Sequence, residues 1–153
     1  MADISSTIKQ DITGHEFQSP YQTRVYEWDP VNDGTSGTGT HNIAAIPEGF
    51  AFLQGAVVVT EAFTSAGSAT VKFLTGEADF TGAVPKADLT IGEVFKLEQN
   101  LAITATVGAP YYVDGTTVTA ETIDVTVGTA ALTAGKAKLV IDLIDISRIQ
   151  AAV

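Results

Sequence analysis

The chain has 153 residues, of which 45% are hydrophobic, and it contains no cysteine. This composition predicts one globular domain with its own core, and the lack of cysteine excludes disulfides and thiolate metal sites. The formal net charge of −10 argues against nucleic acid and against anionic membrane surfaces as partners, because both require cations on the protein.

Residues 1–20 are polar and irregular, and we assign them to an extended N-terminal arm that precedes a β-sandwich domain at 21–153. Ile4, Ile8 and Ile12 have the i, i+4 spacing of a short amphipathic helix. Two interpretations remain open for the arm: a mobile chain end, or a segment that docks on a neighbouring subunit. The first residues lack the basic and apolar regions of a secretory signal, and no run approaches the ~18 apolar residues that span a bilayer. We therefore expect a soluble protein that is made in the cytoplasm.

Residues 21–28 combine aromatic and β-branched side chains, which predicts a strand. Tyr26 and Trp28 share one parity of this strand. We interpret them as core residues, with an exposed aromatic patch for a partner as the alternative.

The stretch 29–40 is rich in glycine, aspartate, serine and threonine, which predicts a long loop. Asp29 and Asp33 partly match the spacing of a calcium-binding loop. Val31 and Thr40, however, occupy positions where such a loop needs oxygen ligands. We therefore predict no calcium site in this loop.

The stretch 50–63 is apolar at both parities, and the three valines at 57–59 favour a strand over a helix. A strand of this kind is covered on both faces, so we place it at the centre of a sheet. A buried helix is the alternative. We predict a short strand at 41–46 before it, and a hairpin loop at 64–67 that leads into a strand at 68–74.

A looser segment at 76–89 is expected to cross between two sheets. Four later stretches alternate between apolar and polar residues and predict half-buried strands: 91–97, 101–107, 121–127 and 136–146. Asp114-Gly115 adds the signal of a type I′ hairpin, and 133–135 predicts a turn before the last strand. About nine or ten strands without a long helix predict an all-β fold of two packed antiparallel sheets, a β-sandwich or jelly roll.

Residue types that support catalysis are scarce. His15 and His41 lie far apart in the sequence, and neither belongs to a nucleophile motif. Asp142 and Asp145 stand out because they lie in the otherwise apolar last strand. For Asp142, plain solvent exposure and a subunit-interface salt bridge with Arg148 of a neighbour are both open. We predict no enzymatic activity, no cofactor and no metal site.

Two regions of the chain resemble small structural proteins of tailed-bacteriophage virions. In the first region, at 41–76, the resemblance rests on Ile-Pro-Glu-Gly at 46–49, on Val-Val-Val-Thr-Glu-Ala-Phe at 57–63 and on Ser-Ala-Thr-Val at 68–71. In the second, at 121–146, it rests on Thr-Ala-Gly-Lys-Ala followed by a strand that runs towards the C-terminus. These motifs are structural and not catalytic.

The resemblance implies a capsid decoration, or cement, protein. Such a protein is a β-rich domain on the capsid exterior, often a homotrimer, that binds the major capsid protein and clamps the junctions between capsomers. An N-terminal arm fits this function because it can add a strand to the sheet edge of a capsid protein. Under this hypothesis seven residues are candidate contacts with the capsid or with another subunit: Ile4, Ile8, Ile12, Phe17, Trp28, Asp142 and Arg148.

The alternative function is a carbohydrate- or ligand-binding β-sandwich module of a phage tail or fibre. Its platform would consist of aromatic side chains: Tyr21, Tyr26, Trp28, Tyr111 and Tyr112. A small hydrolase on a jelly-roll scaffold is a second alternative, which the shortage of histidines disfavours.

Overall fold

The computed structural model describes residues 20–47, 49–75, 79–97 and 121–145. These ranges contain eight strands and a short 3-10 helix at Lys86–Asp88. The strands are β1 (Tyr21–Trp28), β2 (Gly39–Ile46), β3 (Phe50–Ser65), β4 (Thr70–Thr75), β5 (Val84–Pro85), β6 (Val94–Leu97), β7 (Glu121–Gly128) and β8 (Leu132–Asp145). No helix within the described ranges has the length and apolar character needed to cross a bilayer.

The strands pair in a nested order, from the two ends of the domain inwards. β1 pairs with β8, β2 with β7, β3 with β6 and β4 with β5, and every pair is antiparallel. Further pairing of β3 with β8 and of β4 with β7 joins these ribbons into two sheets. Sheet A has the order β1-β8-β3-β6, and sheet B has the order β2-β7-β4-β5. Nested ribbons wound into two sheets form a jelly roll, so the predicted all-β antiparallel sandwich is confirmed.

The core lies between the two sheets, and most strands contribute side chains of one parity to it. On β7 and β8 most of the buried apolar side chains are those that the alternation predicts: Ile123, Val125, Val127, Ala137, Leu139, Ile141 and Leu143. Each large aliphatic side chain buried in this way contributes about 1.5–3 kcal/mol relative to exposure. Burial of one face per strand therefore accounts for most of the driving force that holds the sheets together.

The long strand β3 lies inside sheet A, between β8 and β6, so its predicted central position is confirmed. The predicted cover on both faces is wrong. Val57 and Val59 are at most 1% exposed in the core, whereas Leu53 on the same strand is 48% exposed. The register shifts between Phe52 and Gln54, and such a bulge leaves the extra residue, Leu53, unpaired and turned to solvent. The bulge changes which parity faces the core, so beyond it Ala56 and Val58 lie on the outer face, where they are half-buried.

Two predicted turns are wrong. The segment 64–67 does not close a hairpin, because β3 belongs to sheet A and β4 to sheet B. The segment 133–135 lies within β8, which begins at Leu132 opposite Ser65. Alternation in a sequence reports which face of a strand is buried, but it does not identify the strand that pairs with it.

The crossing expected in 76–89 lies at the end of that segment, since β5 still pairs with β4 and β6 already pairs with β3. The strand predicted at 91–97 is shorter than expected, because Gly92 has a φ of 90° and Ile91 is 71% exposed. The strand predicted at 101–107 and the hairpin at Asp114-Gly115 lie outside the described residues.

Candidate interaction surface

Two of the seven predicted contact residues lie in the described part of the chain, namely Trp28 and Asp142. The other five lie outside it, and their roles remain predictions: Ile4, Ile8, Ile12, Phe17 and Arg148. Since the arm assigned to 1–20 enters the described range only at its last residue, its docking also remains a prediction.

Trp28 lies in the core, which corrects its assignment as a contact residue. Its side chain is 1% exposed, and its ring centroid lies 5.2 Å from that of Phe63 and 5.8 Å from that of Phe73. The indole Nε1 donates a hydrogen bond of 2.9 Å to Oγ1 of Thr35, so its polar atom is satisfied inside the protein. A buried side chain offers no surface to a partner. The interpretation of Trp28 and Tyr26 as core residues is confirmed for Trp28.

The glycine-rich loop after β1 is held by Asp29. Its carboxylate accepts hydrogen bonds from the backbone N–H of Asn32 at 3.1 Å and from Nδ2 of Asn32 at 2.6 Å, and it pairs with Nζ of Lys136 at 3.3 Å. Asp33 accepts a hydrogen bond of 2.9 Å from the backbone N–H of Asp29. The carboxylates thus serve the loop itself. The described ranges contain no group of three or more metal-ligating side chains.

These contacts make stability depend on pH. The hydrogen bond from the Asn32 backbone lowers the pKa of Asp29, and the bond to Asp29 raises the pKa of Lys136. A carboxyl group whose pKa is lower in the folded state contributes stability above its unfolded pKa, about 4, and loses that contribution as the pH falls further. Because Asp142 also has a lowered pKa, it contributes in the same direction.

We therefore expect Asp29→Asn to lower the midpoint of thermal unfolding at pH 7, and we expect the difference from the parent to shrink as the pH approaches 3. Circular dichroism melts at pH 7, 5 and 3 measure this. Asp88→Asn is the matched control, because Asp88 is an exposed carboxylate on the 3-10 helix. A difference between Asp29→Asn and the parent that stays constant over this range would contradict the assignment.

His41 binds the same loop, with Nε2 at 2.7 Å from the carbonyl oxygen of Gly37. Asp145 is 7% exposed, and its backbone N–H donates to the carbonyl of Pro20 at 2.7 Å. His15 lies outside the described residues. These contacts hold chain segments in place and do not assemble a nucleophile with a base.

The outer face of sheet A brings three polar side chains together at Asp142. The strand register places Thr23 of β1 and Gln54 of β3 on either side of it. The carboxylate accepts hydrogen bonds from Oγ1 of Thr23 at 2.7 Å and from Nε2 of Gln54 at 3.0 Å. Both bonds lower the pKa of Asp142, so its side chain is negatively charged at neutral pH. No lysine or arginine of the described ranges forms an ion pair with it.

This carboxylate lies in a cleft of about 450 Å³ on the protein surface. The cleft is lined by six residues: Tyr21, Gln22, Thr23, Leu53, Gln54 and Asp142. Tyr21 is 61% exposed and Leu53 is 48% exposed, so apolar side chains stand beside the charge. An exposed aromatic ring and a leucine next to a carboxylate can contact both the charged end and the apolar stem of a cationic side chain.

An apolar band continues from the cleft across the outer face of sheet A. Val25, Val140 and Ala56 lie opposite one another on β1, β8 and β3, and Val25 is 59% exposed. Further along, Val58 lies opposite Val94, which is 57% exposed on β6. A solvent-facing side of an antiparallel sheet is normally polar, so this band is a candidate interaction surface.

The outer face of sheet B differs, because its central carboxylate is enclosed. Asp124 of β7 lies between Asn42 and Leu74 in the register and is 9% exposed. Its Oδ1 is the one buried side-chain atom of the described ranges that has no hydrogen-bond partner. A buried polar atom without a hydrogen bond lowers the stability of the fold. Because this atom is buried, a partner protein cannot contact it directly. Sheet A therefore carries the stronger candidate surface.

Comparison with known proteins gives a match at the level of the fold. No family model matches the sequence, and no curated protein matches it. A chain from the acidic stable capsid structure of Helicobacter pylori bacteriophage KHP30 is similar with a TM-score of 0.50 and 11% identity, over 82% of this chain and 88% of that chain. A chain from the capsid of Ralstonia phage GP4 gives a TM-score of 0.44 and 12% identity, over 81% of this chain and 84% of that one. The chain thus shares its fold with a component of the KHP30 capsid structure.

Proposed function

We propose that the chain is a structural protein of a tailed-bacteriophage virion and acts as a decoration or cement protein on the exterior of the capsid. The observation that carries this proposal is the fold shared with a chain of the KHP30 capsid structure over most of both chains. The local resemblance to virion proteins also supports the proposal, and its two segments, 41–76 and 121–146, overlap β2, β3, β4, β7 and β8. These strands include the interior strands of both sheets.

The partners in this proposal are the major capsid protein and other copies of the chain, in a homotrimer. The net charge of −10 fits an exterior position, because an acidic surface does not compete with the capsid for the packaged genome. Repetition of the same contact at many symmetric capsid sites would hold the protein firmly even if each contact is weak.

The alternative function, a carbohydrate-binding module, is less well supported because part of its predicted aromatic platform is buried. Jelly rolls occur in lectins as well as in capsids, so the fold alone does not choose between the two functions. Of its five platform residues, Tyr21 is exposed, whereas Trp28 is buried and the Tyr26 hydroxyl donates to the carbonyl of Ala45 at 2.9 Å. Tyr111 and Tyr112 lie outside the described residues. We therefore place the virion function first.

The arm provides a direct test of capsid attachment. We expect deletion of residues 1–18 to abolish binding to capsids that lack this protein, while the circular dichroism spectrum and melting midpoint of the domain stay close to those of the parent. Co-sedimentation with such capsids measures binding.

A full-length variant in which Ile4, Ile8 and Ile12 are replaced by serine should show the same loss if these side chains make the contact. Ile91→Ser serves as the matched control, because Ile91 is a 71% exposed isoleucine on the domain itself. Unchanged binding of both arm variants would refute the arm hypothesis.

A further inference from the structure

We propose that the outer face of sheet A binds a basic segment of a partner protein, with one lysine or arginine side chain placed in the cleft at Asp142. The inference rests on the proposed function only in taking this partner to be a capsid protein. The site itself is argued from the contacts of the described residues.

The charge in the cleft has no cation to balance it within the described ranges. Thr23 and Gln54 donate to the two oxygens of Asp142, and both donors are neutral. The nearest lysine along the same face of β8 is Lys138, four residues or about 13 Å away, and it faces Glu27 in the register. A charged carboxylate has about four acceptor positions, so two hydrogen bonds leave room for a further donor.

The surroundings of the carboxylate fit a long cationic side chain better than a small ion. Tyr21 and Leu53 expose apolar surface on the rim of the cleft. Lysine and arginine carry apolar stems that pack on such surface while the charged end reaches a carboxylate. The band through Val25, Val140 and Ala56 gives the apolar neighbours of the same segment a place to pack.

The net charge of the chain indicates whether a different protein or a second copy of this chain occupies the cleft. The chain has 18 acidic residues against 8 lysines and arginines, so two copies repel each other at long range. The arm is no better suited, because residues 1–19 contain one lysine, Lys9, against three acidic residues, Asp3, Asp11 and Glu16. A basic segment of a different protein is attracted to the whole molecule and is complementary to the cleft.

The test compares full-length variants for binding to capsids that lack this protein. We expect Asp142→Asn and Leu53→Ser each to weaken binding by about tenfold or more, which corresponds to the loss of about one charge-assisted or well-packed contact. Asp88→Asn makes the same chemical change on the 3-10 helix at Lys86–Asp88, and Val31→Ser removes a similarly exposed aliphatic side chain, 49% exposed, from the loop after β1. Both variants should bind as the parent does. Leu53→Ser keeps the test valid if Asp142→Asn fails to fold, because Leu53 is half exposed.

The outcomes separate this inference from the proposed function. If the parent binds capsids and both sheet A variants bind equally well, the inference is overturned and the proposed function stands. A second copy of the chain is the other possible occupant. In that case Asp142→Asn and Arg148→Gln would each change the sedimentation velocity of the free protein and leave its capsid binding unchanged. This result would overturn the inference.

If the parent does not bind capsids, the proposed function fails, and the site is tested with a short probe. The probe is a capped Gly-Arg-Val-Arg-Gly peptide, with its glutamine analogue as control. We expect the arginine peptide to shift the backbone amide signals of Thr23, Gln54 and Asp142 in nuclear magnetic resonance spectra. Absence of these shifts, or their persistence in Asp142→Asn, would overturn the inference.

Discussion

Replacement of Trp28 by alanine is expected to lower the free energy of unfolding by about 3–5 kcal/mol, the range measured for removal of a buried aromatic side chain. The ring is 1% exposed and packs against Phe63 of β3 and Phe73 of β4, so its loss opens a cavity between the two sheets. The change also leaves Oγ1 of Thr35 without its donor. Because domains are stable by only about 5–15 kcal/mol, much of the total stability is lost.

Urea unfolding followed by circular dichroism measures this change. Trp28→Phe should be milder, since it keeps a ring in the core but loses the hydrogen bond to Thr35. Tyr21→Ala is the matched control for removal of an aromatic ring at the surface, where Tyr21 is 61% exposed, and we expect it to cost at most about 1 kcal/mol. An effect of Trp28→Ala no larger than that of the control would contradict the burial of Trp28.

Gly135→Ala is expected to have the second large effect, because two penalties act together. Gly135 has a φ of 129°, which alanine adopts only with strain. An added Cβ would also lie 2.5 Å from Cγ and Cδ1 of Phe63 and 2.8 Å from its Cα, so the backbone of β3 would have to move. Backbone strain and overpacking each cost about 1–3 kcal/mol.

The same urea titration measures Gly135→Ala, and Gly82→Ala provides the control. A Cβ at Gly82 meets no atom within 4 Å, and Gly82 has no positive φ. We expect the control to be neutral or slightly stabilising, because alanine has less conformational freedom in the unfolded chain. Equal stability of the two alanine variants would contradict the close approach of β8 to Phe63.

Local patterns predicted the strands well where one face is buried. The first strand has the predicted bounds, and most of the buried apolar residues of β7 and β8 have the predicted parity. Local patterns did not predict which strands pair, because the nested order joins β1 to β8 across almost the whole domain. Gly135 is an example. A glycine at this position suggests a turn, but Gly135 lies inside a strand, where only a residue without a side chain fits against Phe63.

The candidate site could be predicted only in part. Asp142 was recognised because a carboxylate in an apolar strand is unusual, and its parity predicted the outer face. Its partners Thr23 and Gln54 are 119 and 88 residues away in sequence, so no local pattern links them to it. The exposure of Leu53 follows from a bulge, and apolarity at both parities predicted the opposite. Trp28 was interpreted as a core residue, with a partner contact as the alternative, and its satisfied Nε1 allows the full burial that excludes this contact.

The proposed function makes the chain a structural component of the virion. The most direct measurement is the copy number of the chain in intact particles that are banded on a density gradient and quantified by peptide mass spectrometry. Capsid decoration predicts a copy number close to that of the major capsid protein. Absence of the chain from the banded particles would contradict a virion function, and a handful of copies per particle would contradict capsid decoration in favour of a tail or fibre position.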